Sequence, residues 1–554
     1  MISILPLLLA CRSPSEPVDT SLSDTGTPDT TLPDTSQPDE EPPTDPRFES
    51  LSQLLQSELS TNDALAVSIA VYEKGEVVHA EAHGAKDIEG QEEVDTETLF
   101  QLGSVTKMFT ALGLLQHSDA ASLDLNTALP AVYENSEFEL DETWNDGITL
   151  HHLLTHQSGM FDWLGSPSSS ADSFLKTWFE QVYFKYAWLM NPSGLFYNYS
   201  NPGYSLAGLV LESLDDEGRR YPDVISDEVF QSLGMERTYL RKDDAEDDGN
   251  FAESRGYLVA SDGSAVYTDI SMLVLPDMVQ GRPAGSGTWT TPTQLMEMAR
   301  FLMNGDSDVL SEASRQAMTS KQVDMNATRF DANLGYGYGV LVMDGLVLNG
   351  DTYYPEKIWN HDGATTSFSA TFWMFPEKDA AFCILNSGYG TSFPLSLERL
   401  LTEFLVGDQD ATSELPVKEH DPSQIGYRIG SYLDERNFGE VIISRDGEDL
   451  MVSMPQIDEL GFSYEPTLYM DRDDHWYVQI EGTWYSWLFW GEDNAPSDYI
   501  VSRNMVATRV PDGQSARAAA GSGPTKAEFE AFLRDAPSVI PAIMRGEPDS
   551  SMPR

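Results

Sequence analysis

The chain has 554 residues and a formal net charge of −57, from 90 acidic side chains against 33 basic ones. Nucleic acid and anionic lipid surfaces are held by clustered Lys and Arg, so this balance speaks against both as electrostatic partners. At 40% hydrophobic and 10% aromatic residues, the body is globular beneath an acidic, solvated surface.

The first residues are mostly apolar and end Leu8-Leu9-Ala10-Cys11. Leu-x-small-Cys is a lipobox. It predicts export, acylation of Cys11 and a place in the bacterial cell envelope, with membrane contact only through that lipid. The segment is too short to cross a bilayer as a helix. Residues 12–46 are mostly Pro, Thr, Ser, Asp and Glu, with no lysine or aromatic residue and scarcely any aliphatic ones, and Pro-Asp is repeated at 28–29, 33–34 and 38–39. Such a stretch cannot bury a core and reads as a charge-extended tether.

Apolar strand-like runs at 64–72 and 77–82 flank Glu-Lys-Gly-Glu and predict a β-hairpin. Then comes Ser104-Val105-Thr106-Lys107, at the head of an apolar helical run over 104–116. A serine needs a neighbour to take its proton before it can attack a carbonyl. A lysine three residues on lies on the same helix face. The first turn also offers free backbone N–H groups. The spacing alone is weak, because Ser173-Phe-Leu-Lys176 repeats it.

Helices are predicted over 149–155, 204–213 and 292–304. Tyr199-Ser200-Asn201 precedes the second of them on a loop marked by Pro202 and Gly203. A tyrosine hydroxyl shuttles a proton if nearby cations lower its pKa. An asparagine amide bonds both a substrate carbonyl and a lysine. Tyr133-Glu134-Asn135 repeats the pattern elsewhere. His361-Asp362-Gly363 precedes strand-like runs at 366–375 and 380–385, a hairpin expected to join the first one in an antiparallel sheet. His361, at the start of an edge strand, is placed to grip a substrate carboxylate, and Gly363 lets backbone approach a ligand. Cys383 reads as a small buried apolar residue.

Beyond residue 415 the texture changes. Segments 425–432, 439–453 and 476–480 alternate apolar and polar residues, with Asp446-Gly447 as a turn. They predict a small antiparallel barrel of about 90 residues over 416–510. Trp476, Trp484, Trp487 and Trp490 are expected in its core and at a domain contact rather than on a sugar-stacking face. Asp471, Asp473 and Asp474 lack the glycine and glutamate of a calcium loop, so no metal site is assigned. The tail, 511–554, is polar, with a short amphipathic helix near 526–533.

Ser-x-x-Lys, Tyr-x-Asn and His-x-Gly in this order resemble the serine beta-lactamase and penicillin-recognising enzyme superfamily. The nearest branch is that of class C beta-lactamases, DD-carboxypeptidases and related esterases. Residues 148–159, 232–238 and 284–295 look like further signatures of it. The resemblance implies an α+β fold for residues 47–415: a five-stranded antiparallel sheet flanked by helices, with a helical insert. It also implies a lipocalin-like character for the barrel. The implied site has Ser104, Lys107 and Tyr199 as catalytic residues. Asn201, His361, Gly363 and Ala364 would bind substrate, the last through an oxyanion hole shared with the Ser104 N–H. No cofactor is implied, and the partner is a small-molecule or peptide substrate.

The third motif departs from the branch's Lys-Thr-Gly. Histidine replaces lysine, and Asp362 would repel a substrate carboxylate unless it points outward or pairs with His361, a pairing that would raise the histidine's pKa. The expected activity is therefore amide or ester cleavage through a Ser104 acyl-enzyme, as a peptidase or esterase more than an efficient beta-lactamase. The competing reading is a non-catalytic cell-surface binding module.

Overall fold

The computed structural model describes residues 44–530, with its larger interruptions at 130–146, 163–173, 271–286 and 514–523. Cys11, the tether to residue 43, Tyr133 and Ser173 lie outside the described residues. Among those described, no helix is long and apolar enough to cross a membrane.

Asp45 caps a short turn by accepting from the Arg47 N–H. The chain then forms α1 (Glu49–Leu59) and the hairpin β1 (Ala66–Glu73) and β2 (Glu76–Gly84). Lys74 and Gly75 at its tip both have positive φ, 51° and 99°. Three helices follow: α2 (Thr106–Asp119), α3 (Asn201–Leu214) and α4 (Pro292–Asn304). Next come the short strands β3 (Val323–Asp324), β4 (Leu334–Tyr336) and β5 (Leu341–Met343). The longer β6 (Ile358–Ala364), β7 (Ser369–Phe375), β8 (Ala380–Asn386) and a closing helix α5 (Pro394–Leu405) complete the region.

The main sheet is antiparallel with order β2-β1-β8-β7-β6-β5-β4-β3. It has eight strands where five were expected. The last three hold only two or three residues each, too few to show alternation in a sequence. Both faces are covered. Ala66, Ala70 and Tyr72 of β1 join the core shared with α2, α3 and α4. Val67, Ile69 and Val71 join the core shared with α1 and α5. A strand buried on both faces reads as a continuous apolar run, as β1 and β8 do.

The C-terminal strands are β9 (Gly430–Asp434), β10 (Gly439–Asp446), β11 (Asp449–Ser453), β12 (Tyr469–Arg472), β13 (His475–Ile480), β14 (Thr483–Trp490), β15 (Tyr499–Ser502) and β16 (Met505–Arg509). Their order is β11-β10-β9-β16-β15-β14-β13-β12. Thr467 pairs with Met451 and Tyr464 with Ile480, so the barrel is nearly closed. The predicted 439–453 hairpin is present, with Gly447 at φ 64°. The predicted strand at 425–432 is only partly so, because Ile425–Arg428 is a helical turn.

Trp476 and Trp487 lie in the barrel core, joined there by Phe529 from the tail. Trp484 is 42% exposed. Trp490 packs against Phe196, 5.4 Å between rings, in an apolar contact that also holds Leu195, Val501 and Val506. That contact docks the β14–β16 side of the barrel onto the loop leading to Tyr199.

Candidate active site

Ser104 lies in a 3₁₀ turn, Gly103–Val105, that runs straight into α2. Gly103 has φ +53°. A Cβ on Gly103 would come within 2.5 Å of the Ala364 nitrogen. A Cβ on Gly363 would lie 1.9 Å from the Leu102 carbonyl oxygen and 2.9 Å from the Ser104 nitrogen. Two glycines therefore let the end of β6 press against the serine's backbone, and Ala364 sits exposed beside it.

Lys107 follows one turn later and is fully buried. Its Nζ lies 3.0 Å from Ser104 Oγ and 2.8 Å from Asn201 Oδ1. Asn201 opens α3. Ser200 caps that helix by accepting from the Gly203 N–H at 3.2 Å, and Pro202 fits the first turn, where no donor is required. The residue before the cap, Tyr199, donates its hydroxyl to Ser104 Oγ at 2.8 Å. One serine oxygen thus meets an amine from α2 and a phenol from the loop that leads into α3.

The Tyr199 pKa is pushed above the ordinary tyrosine value by burial, with Arg503 and the bond to Ser104 opposing. The phenol is protonated in the resting site, contrary to the lowered pKa that a shuttle was expected to need. Its ring stacks on His156 at 4.1 Å, and the Lys107 ammonium stands 4.9 Å from the ring centre. Burial and the Lys107 charge hold His156 neutral, its pKa well below the usual value.

The Beta-lactamase family model matches residues 51–403, well over half of the chain. The chain belongs to the beta-lactamase family. Penicillin-binding protein 4* of Bacillus subtilis (strain 168) is 24% identical over 386 residues, covering 66% of this chain and 79% of that protein. Unguisins hydrolase ungD' of Aspergillus campestris (strain IBT 28561) is 25% identical over 367 residues, 63% of each chain, so under two thirds of its length is spanned. A crystal structure of SurE superposes with TM-score 0.60 at 21% identity, over 84% of this chain and 99% of that one, a likeness of fold. The family is one of serine hydrolases, and the cluster around Ser104 is where such chemistry would sit.

His361 lies midway along β6. That strand pairs with β7 over Trp359–Ala364 but with β5 only over Ile358–Asn360, so His361 stands where the pairing with β5 has just ended, although not at the start of an edge strand. Its Nδ1 stands 2.7 Å from the Asp362 carbonyl oxygen, which can only accept, so Nδ1 carries the proton. Nε2 then accepts from Tyr336 Oη at 3.1 Å. Burial and Lys107 lower its pKa to about 3. His361 is a neutral prop for Tyr336, not a cation gripping a carboxylate at neutral pH.

The Asp362 carboxylate, on the opposite face of the strand, accepts from Trp373 Nε1 at 3.3 Å instead of pairing with His361. Cys383 is buried in β8 as expected, and burial pushes its thiol up to about 12.

Four residues that touch this cluster were not singled out from the sequence. Tyr336 and His156 pack on the tyrosine layer, His156 with φ 58°. Asp162 Oδ1 accepts from the Asn201 N–H at 2.8 Å and from Asn201 Nδ2 at 3.2 Å. Arg503, from the barrel, donates to Asp162 Oδ2 at 2.6 Å. A positive φ at a non-glycine and a lone Asp or Arg give no local signal. Among the described residues, no group of three or more His, Cys, Asp or Glu could hold a metal ion.

Proposed function

We propose that this chain is a serine hydrolase that cleaves an amide or ester through an acyl-enzyme on Ser104. The observation that carries the reading is the convergence of Lys107 Nζ, 3.0 Å away, and Tyr199 Oη, 2.8 Å away, on Ser104 Oγ. In the proposed cycle Lys107 first sheds its own proton; Ser104 Oγ then attacks the carbonyl carbon and passes its proton to the free amine. The Ser104 N–H, with that of Ala364, holds the developing oxyanion. Tyr199, already protonated, gives its proton to the leaving nitrogen or oxygen and is reprotonated by Lys107, which returns to the free amine. In deacylation the attacking water passes its proton to Lys107, and that proton returns to Ser104 Oγ as the acyl ester breaks. Asn201 Oδ1 keeps the lysine aimed at the serine, 2.8 Å from its amine.

Peptides and esters are the proposed substrates in preference to beta-lactams. The position that carries lysine in the branch's beta-lactamases is here the neutral His361, so it offers a substrate carboxylate no charge at neutral pH. We also infer that the enzyme is held at the cell envelope through Cys11, a reading that rests on the lipobox alone.

A panel of p-nitrophenyl esters, D-Ala-D-Ala peptides and nitrocefin, with Ser104→Ala as background, tests the reading. Ester or peptide turnover above nitrocefin turnover is expected. Nitrocefin as the best substrate would make the chain a beta-lactamase. Failure of every substrate to exceed the Ser104→Ala background would favour the binding module.

A further inference from the structure

The β15–β16 turn of the barrel, Ser502, Arg503 and Asn504, reaches into the wall of the serine site. Arg503 Nε donates to Asp162 Oδ2 at 2.6 Å, and a terminal guanidinium nitrogen lies 2.5 Å from the same oxygen. The Asp162 side chain is fully buried, whereas that of Arg503 is 22% exposed. Asn504 Nδ2 donates to the Asp162 carbonyl at 3.3 Å, and the Ser502 carbonyl accepts from Asn198 Nδ2 at 3.4 Å. The guanidinium carbon also stands 4.6 Å from the centre of the Tyr199 ring. These contacts run between parts of the chain 304 to 342 residues apart.

Asp162 joins the two regions. One of its oxygens takes the Arg503 fork, and the other takes both Asn201 donors. Asn201 in turn accepts from Lys107, which reaches Ser104. A buried carboxylate needs a paired cation to stay ionised and in place. Within reach of Asp162 the barrel provides that cation.

We propose that Arg503 is a positioning residue of the hydrolase site, so that the barrel completes the acylation machinery instead of merely being docked beside it. This rests on the serine-hydrolase reading above. The guanidinium acts along two routes. Through Asp162 it fixes Asn201, and hence the direction in which Lys107 points. Across the Tyr199 ring it opposes the burial that holds the phenol proton. The other charged or titratable groups facing Tyr199 are Lys107 and Asp162, with His156, Tyr197, Tyr204 and Tyr336 packed around it. His361 stands behind Tyr336. Among these groups Arg503 alone comes from the barrel.

The test is the rate of fluorophosphonate labelling of the full-length chain across the pH range, for wild type, Arg503→Gln, Arg503→Lys, Asp162→Asn and Arg436→Ala. Arg436 is a control from the same barrel. Its guanidinium lies 5.0 Å above the Trp188 ring, which stacks on Phe161, so it makes a cross-region contact that reaches Asp162 only through the neighbouring residue. Arg503→Gln should slow labelling by about tenfold or more, as loss of a preorganising contact does. Its rising limb should move up by about half a pH unit, because an opposing cation has gone. Arg503→Lys should restore the limb more fully than the rate, since it returns the charge but not the fork. Asp162→Asn should lower the rate without unfolding the barrel.

Arg503→Gln within twofold of wild type, with an unmoved limb, would overturn the proposal. So would Arg436→Ala reproducing both effects, since docking alone would then account for them. If Arg503→Gln gives no cooperative melt, the Lys and Asp162→Asn variants decide by the same criteria. A wild type that is never labelled would overturn the serine-hydrolase reading, and this inference with it.

Discussion

Tyr199 donates its hydroxyl to Ser104 Oγ across 2.8 Å while its ring stacks on His156. The same residue is thus held by its face and acts through its edge. Burial keeps the phenol protonated, so in the proposed cycle Tyr199 would serve first as the acid that helps a leaving group depart, leaving Lys107 as the acceptor for the serine proton.

Tyr199→Phe separates those two roles. The ring and its stacking partner remain, so the melting temperature should stay near wild type. Turnover should fall by about 10²- to 10³-fold, the usual range for loss of a positioned proton donor. Steady-state kinetics with an activated ester and with an anilide check it. The anilide, whose leaving group needs the proton more, should lose more.

Gly363→Ala probes the contact between β6 and the serine turn. A methyl group 1.9 Å from the Leu102 carbonyl oxygen must displace the turn or the strand. Overpacking of this kind costs about 1–3 kcal/mol of stability. The larger effect should be on activity, because the Ser104 nitrogen lies 2.9 Å from the same point. Denaturant melts and labelling rates, measured together, should show activity lost well before the fold is.

Asp362→Asn carries a pH signature. Burial raises the Asp362 pKa to about 7 from 3.8. Between those values the folded state binds a proton that the unfolded state does not, so stability attributable to this group falls as pH rises from 3.8 toward 7. His361, with its pKa lowered to about 3, has the opposite slope, losing stability as pH falls below 6.5. The asparagine keeps an acceptor for Trp373 and removes only the Asp362 contribution. Its melting temperature should therefore exceed wild type at pH 8, with the gain shrinking toward pH 4.

Cys11→Ser tests the anchor read from the lipobox. Wild type should partition with membranes, and the variant should appear soluble or as unprocessed precursor. Recovery of wild type in the soluble fraction with Met1 intact would remove the anchor from the account.

The features legible in the sequence were those with short-range signatures. The one-turn spacing of Ser104 and Lys107 and the Asp446-Gly447 hairpin each follow from local backbone chemistry, whereas the helix read as beginning at Tyr204 begins at Asn201, because Pro202 taken as a turn signal is equally at home in a first helical turn. The eight-stranded extent of the sheet was not legible, because β3, β4 and β5 are too short for a period to emerge. Nor was Asp162 with Arg503, whose contact spans 341 residues and leaves no mark on either neighbourhood. The direction of Asp362 was likewise open in the sequence, which allowed it to point outward or to pair with His361; the strand decides it, because successive residues point to opposite faces and Asp362 accepts from Trp373.

The central claim is that Ser104 is the nucleophile. Intact-mass analysis after fluorophosphonate treatment tests it most directly, applied to wild type, Ser104→Ala and Ser173→Ala. The account predicts a single adduct on wild type and on Ser173→Ala, and none on Ser104→Ala. An adduct that survives Ser104→Ala, or a wild type that takes up no label, would contradict it.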